Sequence, residues 1–236
     1  MRRVTIFNIL LITVLIPGTL FLGTQLTGRW YYLTSTLMII ETMIPFFLGF
    51  ETRKPQAREL VTIAVMCALA VASRVAIMLP NFKPMTAIIM ITGIALGAEA
   101  GFMTGAIGAF ASNFFFSQGP WTPWQMMAYG FGGFLAGALF HQRFKVRNPV
   151  FLAVYGFLSI LLIIGPLLDC CTVFTVTTQI TWKYAAAVFA AGFPYNLQHA
   201  LACGVTMLLL SKPLLSKLDR LKMKYGMMDA HWEGEV

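Results

Sequence analysis

The chain is poor in charge and in the residues that usually do chemistry. Of its 236 residues only 11% are charged, with nine acidic side chains, three histidines and four cysteines. Soluble domains carry about 25% charged residues, so a water-soluble globule is excluded. So few cysteines exclude a disulfide scaffold. There is no Walker A sequence, no His-Glu-x-x-His and no Gly-x-Ser-x-Gly. Metal-ligand spacing is also missing: Cys170 and Cys171 are adjacent, and Cys67 and Cys203 fall inside apolar runs as small packing residues. Hydrophobic residues make up 58% of the chain, which excludes disorder and leaves a polytopic membrane protein.

A membrane-spanning helix needs roughly 20 apolar residues. The stretches 4–22, 30–50, 60–79, 85–97, 100–116, 121–140, 149–168 and 184–210 are the candidates, the fourth being short. Only Glu99 and its neighbours separate the fourth from the fifth, which predicts a tight helical hairpin. Arg2-Arg3 before an apolar run resembles a signal peptide, but the run is long and lacks a small-residue cleavage site, so it reads as a retained helix.

The net charge is +8, and thirteen of the seventeen Lys and Arg side chains fall in segments on one side of the predicted spans. Basic loops face the cytoplasm. The pattern therefore predicts an all-α membrane helix bundle, multi-pass in a plasma membrane of the bacterial cytoplasmic type, with both termini cytoplasmic. Nucleic acid is not needed to explain the charge. In the tail, Leu214, Leu215, Leu218 and Leu221 form a helical stripe interleaved with Lys217, Arg220, Lys222 and Lys224. It reads as an interfacial helix on anionic membrane lipid, with a docking surface for a cytoplasmic partner as the alternative.

Small residues recur at four-residue spacing. Ala64, Ala68, Ala72 and Ala76 share one face of the third span; Gly93, Gly97, Gly101 and Gly105 run through the next hairpin, and Gly133 and Gly137 follow in the sixth. Such faces let helix backbones approach closely in lipid. The glycines read as internal seams. The alanine face also suits a helix that docks reversibly on another protein.

Polar groups at membrane depth usually face a bundle interior or a cavity. Glu41 sits mid-span. Arg74 has two readings, snorkelling to the outer surface or facing a ligand or Asp169. The outer links are richer: Phe82 and Lys83 lie between prolines, and Asn113, Gln118, Trp121, Trp124 and Gln125 cluster in a stiff connection with two prolines. The amides beside the indoles read as the wall of a pocket. Residues 169–183 are expected to fold over the outside as a lid. Tyr195, Asn196 and His199 open the last span.

Several motifs resemble the substrate-binding S components of energy-coupling factor (ECF) transporters: Ala-Arg-Glu-Leu-Val (57–61) with the alanine-striped helix, and Leu-Pro-Asn-Phe-Lys-Pro (79–84). Thr92-Gly93, Gly-Ala-Glu-Ala-Gly-Phe (97–102) and Ser-Asn-Phe-Phe-Phe-Ser-Gln-Gly-Pro-Trp-Thr-Pro-Trp-Gln-Met (112–126) complete the set. The resemblance covers roughly 57–212 and implies a six-helix core there, with two extra transmembrane helices in 1–56 and a basic amphipathic tail in 213–236.

The resemblance further implies high-affinity uptake of a vitamin or related micronutrient, with a cobalamin or corrinoid as first guess. The partners it implies are a transmembrane coupling subunit and two ATPase subunits; the chain itself is then no enzyme and needs no cofactor or metal. Arg74, Phe82, Lys83, Asn113, Gln118, Trp121, Trp124 and Gln125 would bind substrate, with Tyr195, Asn196 and His199 opposite. Ala64, Ala68, Ala72 and Ala76 would dock on the coupling subunit. Two other classes stay open: a self-sufficient secondary transporter using Glu41, and a non-transporting membrane assembly protein.

Overall fold

A computed structural model describes residues 10–25, 30–77, 82–144, 146–176 and 180–226. Most of the start of the first span, the link at 78–81 and the tail beyond 226 lie outside the described residues. After a π-helical turn at Leu11–Leu15 come α1 (Ile16–Gln25), α2 (Trp30–Thr52), α3 (Ala57–Ala76), α4 (Met85–Leu96) and α5 (Ala98–Phe116). Then follow α6 (Thr122–Gly137), α7 (Pro149–Ser159), α8 (Gly165–Val176) and α9 (Trp182–Tyr225). π-helical turns extend α6 over Ala138–Arg143 and join α7 to α8 over Ile160–Ile164. Every regular element among the described residues is helical. Among the described residues, four helical stretches, Leu33–Thr52, Ala57–Ala76, Pro149–Val176 and Trp182–Tyr225, are long and apolar enough to cross a membrane. The chain is an all-α polytopic helix bundle.

The bundle is built around α4. Its sequence, MTAIIMITGIAL, has no polar face, and all of its residues are buried, as expected of a helix that is apolar all round. It packs against α3, α5, α6 and α9. Twelve residues make a helix about 18 Å long, short of the ~30 Å hydrocarbon layer. That is tolerable because its backbone ends are finished by protein. Gly97, at φ 103°, turns the chain directly into α5. The terminal carbonyls find donors: His141 Nδ1–H to Ile94 at 3.0 Å and Lys222 Nζ to Ala95 at 2.6 Å. A cation there also suits the negative end of the helix dipole.

Glycine sets the spacing of α4, α5 and α6. A methyl group added to Gly93 or Gly101 would run into the Gly133 carbonyl, and one on Gly105 into the Tyr129 backbone. The glycine seams are therefore internal, as the sequence spacing predicts. The alanines behave oppositely: Ala64, Ala68, Ala72 and Ala76 are all exposed.

The N-terminal helices leave that alanine face uncovered. α2 lies on α5 and α6, with Phe46 stacked on Phe102 at 4.3 Å and edge-on to Phe134 at 5.0 Å. Glu41 turns toward α1, accepting from Thr19 Oγ1 at 2.7 Å.

Two expectations change. In the segment 169–183 expected as a lid, residues 169–176 form the last turns of α8, where Thr175 Oγ1 donates back to the Cys171 carbonyl at 2.6 Å, and 177–179 lie outside the described residues. The basic tail does not start a new element either. α9 runs through Pro213 to Tyr225, and Leu215 and Leu218 are buried against the bundle. Up-and-down connectivity sorts the charges by end. Arg53, Arg58, Arg147 and Lys222 lie at one end, the basic end, while Arg74 and Lys83 belong to the other.

Candidate functional site

Polar side chains collect in two neighbouring clusters at the end opposite the basic one. The first joins α3, α5 and α6. Arg74, near the end of α3, is buried and donates from Nη1 to Asn113 Oδ1 at 3.1 Å and to Ser112 Oγ. Its guanidinium carbon also sits 4.5 Å from the centroid of the Phe116 ring. Asn113 Nδ2 in turn donates to Thr122 Oγ1 at 3.1 Å and to Gln125 Oε1 at 3.0 Å. Thr122 Oγ1 donates to Gln118 Oε1 at 2.9 Å, and Gln118 Nε2 closes the loop onto the Phe110 carbonyl at 2.9 Å.

A buried charge must be met by hydrogen bonds, and this amide network meets Arg74. Arg74 does not snorkel outward, and it does not face Asp169, which accepts from Asn196 instead.

The second cluster joins α4, α6, α8 and α9. Trp124, only 6% exposed, stacks on Phe174 with centroids 5.8 Å apart and planes 16° from parallel. Its indole N–H has no partner among the described residues. Five residues before Phe174 on α8, Asp169 Oδ2 accepts from Asn196 Nδ2 at 2.7 Å. Gly192 makes room for that carboxylate, because a methyl at this position would strike it. Deeper in, His199 Nε2 lies 2.7 Å from Thr86 Oγ1, and its ring meets Tyr129 edge-on at 6.0 Å. The buried Tyr129 hydroxyl also has no partner among the described residues.

The residues named from sequence thus divide. Arg74, Asn113, Gln118 and Gln125 share the first cluster, and Trp124, Asn196 and His199 belong to the second. Phe82 and Lys83 are half-buried just before α4. Trp121 and Tyr195, 40% and 58% exposed, are brought into neither cluster. Sequence reasoning missed Thr86, Tyr129, Ser112, Thr122 and Phe174. A usable signal existed for Thr86: a polar residue in a helix buried on every side must have a partner.

Taken together, these features define a multi-pass helical membrane protein with polar and aromatic side chains gathered at one end of its bundle. Residues 54–216 match the family model described as "ECF-type riboflavin transporter, S component". The match spans well over half of the chain, and the chain belongs to that family: it is a membrane-embedded, substrate-binding component of an ECF transporter. Comparison with curated proteins and with solved structures returns no match.

Proposed function

We propose that this chain captures a riboflavin-type vitamin on the outer side of a bacterial-type cytoplasmic membrane and passes it to a coupling subunit driven by two ATPase subunits. The observation that carries the substrate reading is the stacked Trp124–Phe174 pair with an unpartnered indole N–H and the Asp169–Asn196 pair. Parallel aromatic faces suit a planar ring system. Unpaired buried donors suit a ligand that supplies acceptors, because leaving them unmet costs free energy. Trp124, Asp169, Asn196 and His199 would contact substrate; Arg74, Asn113, Gln118 and Gln125 would hold the wall behind it, and Lys83 would sit at the entrance.

The family description favours riboflavin over a corrinoid. In this reading 57–212 is the six-helix core, 1–56 supplies two added helices, 213–236 is a basic extension, and the basic end faces the cytoplasm. The exposed alanines of α3 support docking on the coupling subunit, since nothing among the described residues covers them. Glu41 points to Thr19 in the N-terminal pair, not to the site, which weighs against a self-sufficient carboxylate relay.

The test is native mass spectrometry and visible absorbance of the purified chain, followed by titration with riboflavin and with cobalamin. A co-purifying flavin, and tight binding of riboflavin but not cobalamin, is expected. Tight binding of cobalamin alone, or of neither, would overturn the substrate assignment.

A further inference from the structure

The end of α9 carries a feature that substrate capture does not use. Leu201, Val205, Leu209, Pro213, Lys217 and Leu221 follow one another at four-residue steps, and all are exposed. The neighbouring ridge, Leu208, Lys212, Ser216, Arg220 and Lys224, is exposed as well. Residues four apart stack along one helix face, so the two ridges form one continuous outer surface. That surface is hydrocarbon through residue 210 and becomes cationic from Lys212 onward. The change marks the level where the hydrocarbon layer gives way to headgroups.

The inner side of the same segment is fixed. Asp219 accepts from Arg147 at 2.9 Å and lies 3.8 Å from Lys222, and Arg58 donates to the Tyr225 carbonyl at 3.0 Å. The one acidic side chain between 212 and 225 is thereby engaged by Arg147 and Lys222. Among the described residues, no carboxylate comes within 4.0 Å of Lys212, Lys217, Arg220 or Lys224. Lys217, Arg220 and Lys224 stand at i, i+3 and i+7, where like charges repel along a helix face. Exposed Leu221 and Met223 add apolar surface beside them.

We infer that this face is a binding site for the headgroups of anionic phospholipids. Basic residues next to a membrane attract anionic lipid. The lipid-facing ridge runs unbroken into the cations, which fits a lipid whose acyl chain lies along Val205 and Leu209 while its phosphate meets Lys217 and Arg220. The inference needs only that the bundle is embedded in a bilayer, and stands apart from the identity of the transported substrate.

The experiment uses the full chain and the variant K217Q/R220Q/K224Q in phosphatidylcholine nanodiscs with and without phosphatidylglycerol. Retained lipid is counted by native mass spectrometry, and the thermal midpoint is read in parallel. The wild type should retain phosphatidylglycerol selectively and melt higher with it. Each neutralised cation should lower that preference about fivefold, with melting in pure phosphatidylcholine and riboflavin binding unchanged. If the triple variant folds poorly, K217Q alone reads the single fivefold step.

Equal phosphatidylglycerol retention by variant and wild type would overturn the inference. So would equal stabilisation by inorganic phosphate without anionic lipid. Loss of coupling-subunit binding with lipid retention intact would assign the face to a protein instead, and would likewise overturn it.

Discussion

Arg74 donates to Asn113 across 3.1 Å, and this bond ties the alanine-faced helix α3 to the amide network that braces α6 beside Trp124. One side chain therefore holds a cation inside the bundle and the start of α6 in register. Arg74 has no carboxylate partner among the described residues, so Asn113 and Ser112 carry its hydrogen bonding.

Replacing Asn113 by Leu removes an acceptor from Arg74 and both donors that reach α6. Polar contacts inside membrane proteins are worth at most a kcal/mol or two each, and an unmet buried group costs about 1–3 kcal/mol. Asn113→Leu should therefore destabilise the chain by about 2–4 kcal/mol, measured by denaturant unfolding in mild detergent. A change below about 0.5 kcal/mol, the range of ordinary surface substitutions, would mean that Arg74 finds other partners.

The two kinds of small-residue stripe should respond oppositely to added bulk. Gly133 faces the Gly101 backbone directly, so Gly133→Leu should prevent folding or leave an aggregating protein. Ala68 is exposed, so Ala68→Leu should change stability by less than about 0.5 kcal/mol and leave ligand binding intact. It should abolish co-purification with the coupling subunit. Retained complex formation would show that the alanine face is not the docking surface.

At the substrate site, Trp124→Ala removes both the stacked ring and the indole donor. Truncating a central aromatic anchor typically costs at least about 2 kcal/mol, so ligand affinity should fall roughly 30-fold or more, read by isothermal titration. Trp124→Phe keeps the stack and loses only the N–H, which corresponds to about 1 kcal/mol and a roughly fivefold loss. Equal losses in the two variants would place the whole contribution on the hydrogen bond.

His141 gives the basic end a pH dependence. Burial holds its pKa below the ordinary 6.5; the Ile94 carbonyl opposes the shift, and Lys222, Arg147 and Arg53 reinforce it. As pH falls through 6.5 the unfolded chain takes up the proton before the folded chain does, so stability is full above that value and declines below it. The thermal midpoint should drop as pH falls from neutral through 6.5 on this account, and His141→Asn should flatten that drop. A midpoint equally steep in both proteins would assign the acid sensitivity to other groups.

The gross architecture was legible in the residues because a bilayer leaves few solutions: long apolar runs must be helices, and basic links sort to one side. The hairpin about Glu99 and the internal glycine seams followed from spacing alone. The site was legible only in part. Asn113, Gln125 and Trp124 were found as polar and aromatic groups next to one another in sequence, whereas Thr86 and Tyr129 stand far apart in the chain and meet only at His199. The 169–183 stretch is too polar for an obvious span and too apolar for a free loop, which pointed to a lid. Residues 169–176 instead continue α8, where the Thr175 hydroxyl bonds within its own helix.

The sequence by itself determined the solvent, the helices and the sorting of charge, since each depends on local composition and on the cost of unmet backbone groups in hydrocarbon. Only the tertiary structure decided which faces are covered. It turned the glycines inward and left the alanines bare, gave Arg74 to Asn113 and not to Asp169, and carried α9 past Pro213 to brace the basic end. Those outcomes depend on which helices meet, and small residues permit close approach without specifying the partner.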